Sequence, residues 1–246
     1  GELARAHRPF RDAGRKRMKK MLNPITLSLK IFKTTVICGV VLSLLGCVSA
    51  TVQQVRERST QISGGETLVI LGKRNRPSTE ETEIDFIDCV ATNLRAKKSK
   101  LKVLNEQRFV DQTFPWFEPR TAPGNMDALV NLLDQKLLAE RLEQMGLKYL
   151  IWIEGQTKRT SSGGSMSCGI TPGGGGCFGF LTWENDASYE ATIWDAKNKT
   201  VAGKVSSDAA GTSYMPALIL PIPLVARVQS NACFGLADQL DTFFTN

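Results

Sequence analysis

Two short apolar runs constrain this fold more than any other feature of the 246-residue chain. The run TLVILG, residues 67–72, is β-rich and too short for a helix, so a buried strand is expected there. Residues 148–154, KYLIWIE, hold five consecutive apolar or aromatic side chains. That run has no polar side to turn to water, so a central strand covered on both faces is expected. Helical periodicity lies between the two runs. Ile84, Ile87, Ala91 and Leu94 make one stripe, with Phe86 and Val90 beside it, and Ser78 with Glu81 has the capping-box spacing. The basic group Arg95, Lys97, Lys98 and Lys100 suits the end of that helix. Residues 101–104 form a second short strand. Asn105 is placed to cap a short helix, and Asn125 a long one over residues 126–145, stopped by Gly146. Parallel pairing among these strands needs helical crossovers, and the chain supplies them.

The second half changes character. Residues 159–186 carry Ser161, Ser162, Gly163, Gly164, Gly169 and the run Gly173 to Gly176, the composition of a long flexible loop. No phosphate-loop spacing occurs in it. It is open to several readings: a lid, a partner clasp, or a membrane-touching loop using Phe178, Phe180, Leu181 and Trp183. Against them stands a disulfide-tied surface insertion. Residues 187–195 alternate, residues 195–199 turn, and residues 200–207 return, which is an antiparallel hairpin. Residues 215–226 are apolar but contain Pro216, Pro221 and Pro223, which excludes a central strand or a helix interior. A buried connector is expected there, with a dip into a membrane or a neighbouring subunit as the other reading. A last helix follows over residues 224–244. The expected fold is α/β (α+β): a single domain with a mixed sheet of about five strands packed by three to four helices.

Upstream of the domain, Lys19, Lys20, Lys30 and Lys33 precede an apolar core from Val36 to Leu45, and Gly46 is the small residue before Cys47. The apolar run, residues 34–46, is shorter than the about 20 residues a membrane-spanning helix needs. The tetrad Leu44-Leu45-Gly46-Cys47 resembles the lipobox of bacterial lipoproteins. The resemblance implies lipidation of Cys47 on sulfur, cleavage before it, and acylation of the new amine. Residues 1–46 are then an upstream segment and cleaved signal peptide, 47–66 a lipid-anchored flexible tether ended by Gly64-Gly65, and 67–246 a periplasmic domain with 159–186 inserted. Several acyl chains on one residue meet the requirement for stable anchoring. Val48 stands where Asp would imply inner-membrane retention, so the periplasmic face of the outer membrane is the expected location. Met18 and Met21 would each open a signal of ordinary length. Residues 1–17, with the basic run Arg11, Arg15, Lys16 and Arg17, are left out of fold reasoning.

Charge follows this division. The chain carries net +7, but residues 1–46 hold 10 of its 31 basic and 2 of its 24 acidic side chains. The remaining 21 basic and 22 acidic residues nearly cancel, which removes the electrostatic support for nucleic acid binding. The single histidine is His7, inside the signal segment. Residues 47–246 therefore have no Ser-His or Cys-His relay and no histidine metal site. No metal or cofactor is expected beyond the covalent lipid on Cys47. Cys89, Cys168, Cys177 and Cys233 remain, an even number that suits disulfides in an oxidising compartment. Of three pairings, Cys168–Cys177 with Cys89–Cys233 is favoured. Cys89 and Cys233 as buried thiols is the alternative.

Residues 114–119 form an aromatic loop in which Trp116 and Phe117 either grip a partner or build a satellite core. Together with Phe178, Phe180 and Trp183 they are the partner-binding candidates. The segments TLVILG, LKVLNEQRFVDQ, MGLKYLIWIEG and SYEATIWDAKNKTVAGKV resemble a periplasmic α/β group. That group includes the curli-secretion lipoprotein, the lipoprotein activators of penicillin-binding proteins and the amino-terminal domain of the Tol propeller protein. It has no shared catalytic residues to carry over. The expected function is a non-enzymatic binding or assembly component of the envelope with an envelope protein partner. The alternative is a homo-oligomeric subunit of an export or pore complex. A hydrolase using Glu154, Glu184, Asp186 and Glu190 is a third reading.

Overall fold

The computed structural model describes residues 48–58, 60, 62, 66–73, 81–99, 101–118 and 121–245. Residues 1–46, where a signal segment is expected, Cys47 and Ser78 lie outside the described residues. The elements are β1 (Val48–Arg56), β2 (Thr67–Gly72), α1 (Ile84–Arg95), β3 (Val103–Leu104), α2 (Glu106–Gln112), α3 (Met126–Leu133), α4 (Lys136–Gln144), β4 (Leu147–Thr171), β5 (Gly174–Asp195), β6 (Thr200–Ala217) and α5 (Val228–Thr245). The strands form one mixed sheet in the order β1-β6-β5-β4-β2-β3. β2 runs parallel to β3 and β4, and the other pairs are antiparallel.

Alternation in the central strands builds two cores. Leu68 and Ile70 of β2 and Tyr149, Ile151 and Ile153 of β4 point into one, together with Tyr189, Ala191 and Ile193 of β5. α1 and α5 cover that side with Phe86, Val90, Leu94, Leu236, Leu240 and Phe243. Val69, Leu71, Leu150 and Trp152 point into the second core, beneath α2, α3 and α4. Each such side chain, fully buried, contributes roughly 1.5–3 kcal/mol. The strongly apolar pattern of TLVILG and YLIWI is the consequence of helices on both faces.

Several expectations are corrected. The tether is not free: residues 48–56 form β1, paired with β6 from Val48 opposite Gly211 to Arg56 opposite Gly203. Val48 and Val52 pack against the first core, while the intervening residues face water, which gives the segment its polar composition. The Arg56 guanidinium donates to the Phe243 carbonyl at 2.9 Å and lies 4.7 Å from the Phe243 ring centroid. α1 starts at Ile84, with Glu83 in the cap position and no side-chain cap bond; Ser78 of the expected capping box lies outside the described residues. The single helix expected over 126–145 is two, broken at Asp134 and Gln135, which are held by the Lys199 ammonium and the Trp116 indole. The last helix starts at Val228, because Leu224 is hydrogen-bonded to Tyr214. The caps Asn105 and Asn125 are as expected, accepting from Arg108 N at 3.0 Å and Ala128 N at 2.8 Å. Gly146 ends α4 with φ 62°.

Candidate functional site

Residues 159–186 are the largest departure from the sequence-based expectation. They are not a loop. β4 and β5 continue past the domain as a ladder from Arg159 opposite Asn185 to Thr171 opposite Gly174. β6 accompanies them as far as Ala217, opposite Gly179. The glycines and serines that suggest flexibility are strand residues exposed on both faces. Beyond Asn185 the arm is 11 β5 residues long, roughly 35 Å at about 3.4 Å per residue.

Three devices hold the arm. Gly155 has φ 140°, and a Cβ there would lie 2.1 Å from the Ser188 carbonyl oxygen. Only glycine lets β4 pass this close to β5 as it leaves the core. Cys168 and Cys177 face each other across the ladder and are disulfide-bonded, with Cα atoms 4.0 Å apart. Residues 218–224 then fold back along the outer edge of β6. Cys177 N donates to Ile219 O at 2.9 Å, and Leu224 and Tyr214 exchange backbone bonds at 2.7 and 2.9 Å. The expected buried connector is therefore an exposed one: Leu218, Ile219, Leu220, Ile222 and Val225 all face solvent.

The arm carries no formal charge along most of its length. Residues 160–183 and 209–226 contain no Asp, Glu, Lys, Arg or His. Phe178 and Phe180 stand exposed on one face, where Phe180 lies 6.0 Å from Tyr214. Trp183 is on the opposite face by strand alternation, half-buried, with the Arg159 guanidinium 5.7 Å from its ring. The structure thus brings Phe178 and Phe180 together and separates Trp183 from them.

The other partner-binding candidates lie elsewhere. Phe117 is buried in the second core, its ring 4.9 Å from that of Phe109. It is a core residue, and the reading of it as a partner contact is corrected. Trp116 is half-buried, donates to Gln135 Oε1 at 2.6 Å and receives the Arg141 guanidinium at 5.3 Å. Cys89 and Cys233 are disulfide-bonded between α1 and α5, with Cα atoms 6.2 Å apart, the pairing favoured from sequence.

The carboxylates of the hydrolase reading line the solvent-facing side of β4 and β5. Glu154 is paired with Lys73 at 2.7 Å, Glu190 with Lys204 at 2.7 Å, and Glu184 accepts from Ser161 Oγ at 2.9 Å. Gly155, Gln156 and Ser188 complete an open depression there of about 260 Å³. A second cleft, of about 380 Å³, has Leu133, Leu142 and Leu147 as its floor and Lys148 and Lys199 at its rim. Those two ammonium groups already meet Glu66 and Asp134. One polar network is partly buried: Tyr189 Oη donates to Glu83 Oε2 at 2.9 Å and lies 2.8 Å from Thr157 Oγ1. Burial pushes the Tyr189 phenol well above its ordinary value of 10.0, and the Glu83 charge adds to this against the hydrogen bonds from Thr157 and Gln229. Among the described residues no helix is long and apolar enough to cross a membrane.

No family model matches the chain. No curated protein matches it either. Among solved structures it is similar to two PelC dodecamers from Paraburkholderia phytofirmans. A single-substitution variant in space group C2 is 14% identical, covering 80% of this chain and 100% of that one, with TM-score 0.39. A second, in space group P6, is 13% identical, covering 80% and 99%, with TM-score 0.37. Likeness at this level supports no statement about what this chain does.

Proposed function

We propose that this chain is a lipid-anchored protein of the bacterial envelope, on the periplasmic face of the outer membrane, that acts as a non-enzymatic binding or assembly component. The observation that carries this reading is where the anchor and the arm meet. Cys47 is one peptide unit, about 3.8 Å from Cα to Cα, before Val48. Val48 pairs with Gly211, and Gly211 pairs with Asn185, the residue at which the arm leaves the domain. Lipidation of Cys47 would therefore fix at a membrane the root of an exposed arm that is charge-free beyond Arg159 and Glu184, where a contact element for another envelope component belongs. Mass analysis of the amino-terminal peptide from native membranes tests the anchor: the reading requires cleavage before Cys47 and acyl chains on it, and an unmodified thiol or a retained leader refutes it. Crosslinking in intact envelopes tests the binding role, which requires recovery of an envelope protein.

A second reading, a subunit of an oligomeric export or pore complex, is favoured by the sheet edges. Among the described residues, no strand pairs with the outer side of β1, and none with the β2 side of β4 beyond Ile153. Such open edges are templates for another strand. Native mass spectrometry in mild detergent separates the readings, since a strict monomer excludes the oligomer.

A further inference from the structure

We infer that the tip of the arm rests on the lipid surface of the membrane, with the arm lying along the bilayer rather than through it. The inference deepens the anchored reading above and uses its placement of Cys47. The tip brings together Phe178, Leu218, Ile219, Leu220 and Ile222, which are 65, 74, 67, 73 and 60% exposed, while Ile170 lies on the opposite face by strand alternation. These five belong to two segments that hydrogen bonding makes neighbours: β5, through Phe178, and the connector bonded to Cys177. Contiguous exposed apolar surface of this kind marks an interaction site.

Charge decides between occupants. Protein interfaces ring an apolar centre with a polar, solvent-accessible rim. Around this tip residues 160–183 and 209–226 supply serine and threonine but no charged side chain, which is the composition that avoids the cost of bringing charge to hydrocarbon. Phenylalanine and tyrosine with an aliphatic cluster suit the headgroup boundary. The root is already at the membrane through Cys47, so contact at the tip makes the arm lie flat. Among the described residues no strand pairs with the outer edge of β4 along the arm, and this edge sets the depth, because unpaired N–H and C=O groups do not enter hydrocarbon. Aliphatic side chains reaching about 5–10 Å into the headgroup and upper acyl region satisfy both constraints.

The test uses the full lipoprotein, made in bacteria and reconstituted into vesicles of phosphatidylethanolamine and phosphatidylglycerol, with or without bromine on the acyl chains. Ile219→Trp places an indole at the tip; Leu137→Trp places one on the exposed side of α4 as a control. With the emission of the four native tryptophans, measured in the parent lipoprotein, subtracted, bromolipid is expected to quench the indole introduced at 219 and to leave the one at 137 bright. Adding Leu218→Asp with Leu220→Asp is expected to abolish that quenching while the protein still floats with the vesicles. Flotation without quenching at 219 overturns the inference and leaves the anchor standing. Quenching without acylation removes the anchor and keeps the tip contact. A blue-shifted but unquenched indole means that a second copy or another protein covers the tip, and overturns the inference. Neither flotation nor quenching overturns both.

Discussion

Replacing both Cys89 and Cys233 by alanine should be the costliest surface-to-core change short of truncation. The bond joins α1 to α5 across 144 residues of sequence, so its loss frees a very long loop in the unfolded chain. The chain-entropy relation gives about 5 kcal/mol for a loop of this length, against about 2.7 kcal/mol for the loop closed by Cys168–Cys177 nine residues apart. The difference should widen in practice. Cys233 is fully buried in the first core, whereas the arm disulfide closes a hairpin that its own ladder already registers. Asn93 Nδ2 lies 3.5 and 3.7 Å from the two helix sulfurs, and the alanines would leave it only the Cys89 carbonyl, at 2.8 Å. Urea unfolding followed by far-ultraviolet circular dichroism measures the cost. With a slope of about 2–3 kcal/mol per molar, the midpoint of the α1–α5 variant should fall by roughly 2 M, and that of a Cys168/Cys177 double variant by clearly less. Equal midpoints for the two variants, or an α1–α5 variant that unfolds like the parent, would show that the cross-helix bond does not restrain the unfolded chain as reasoned.

Other outcomes follow from burial and strain. Phe117→Ala should cost about 3–5 kcal/mol because its ring is enclosed beside Phe109, while Phe178→Ala should stay within about 0.5 kcal/mol of the parent in the same titration. Gly155→Ala should cost about 2–4 kcal/mol by forcing a Cβ onto the Ser188 carbonyl, and a silent substitution would mean that β4 leaves the core by another path. The raised phenol of Tyr189 predicts alkaline loss of stability. The unfolded chain gives up this proton near pH 10.0 while the folded protein keeps it, so stability is intact below that value and falls above it, by at most about 1.4 kcal/mol per pH unit. Urea midpoints between about pH 9 and 11 should fall more steeply for the parent than for Tyr189→Phe, and parallel curves would refute the assignment.

The central sheet was legible because its signal is local. A run such as TLVILG has few alternatives to a strand covered on both faces, and Asn105 and Asn125 declare caps within three residues of the amides they bind. The arm was not legible because nothing local specifies it. Its glycines and serines have no strand preference of their own; the ladder is imposed by β5 pairing on both sides and by the cross-strand disulfide. β1 was hidden for a related reason. Val48 and Val52 are too far apart to look like alternation until the groove between β6 and α5 is present to receive them. The aromatic candidates divided according to contacts that sequence does not contain: Phe117 meets Phe109, while Phe178 meets no core at all.

The first strand of this sheet is completed by the sixth. Val48 finds its ladder only after residue 211 exists and has docked, so the amino-terminal end of the domain must wait for nearly the whole chain to be delivered. Such distant pairing is slow to form. On the anchored reading proposed above, a chain exported from its amino terminus would leave residues 48–56 unpaired throughout that interval, and would close them into the sheet edge only at the end. If Cys47 is lipidated as proposed, the same order of events that delays folding would leave the attachment point available while it is needed.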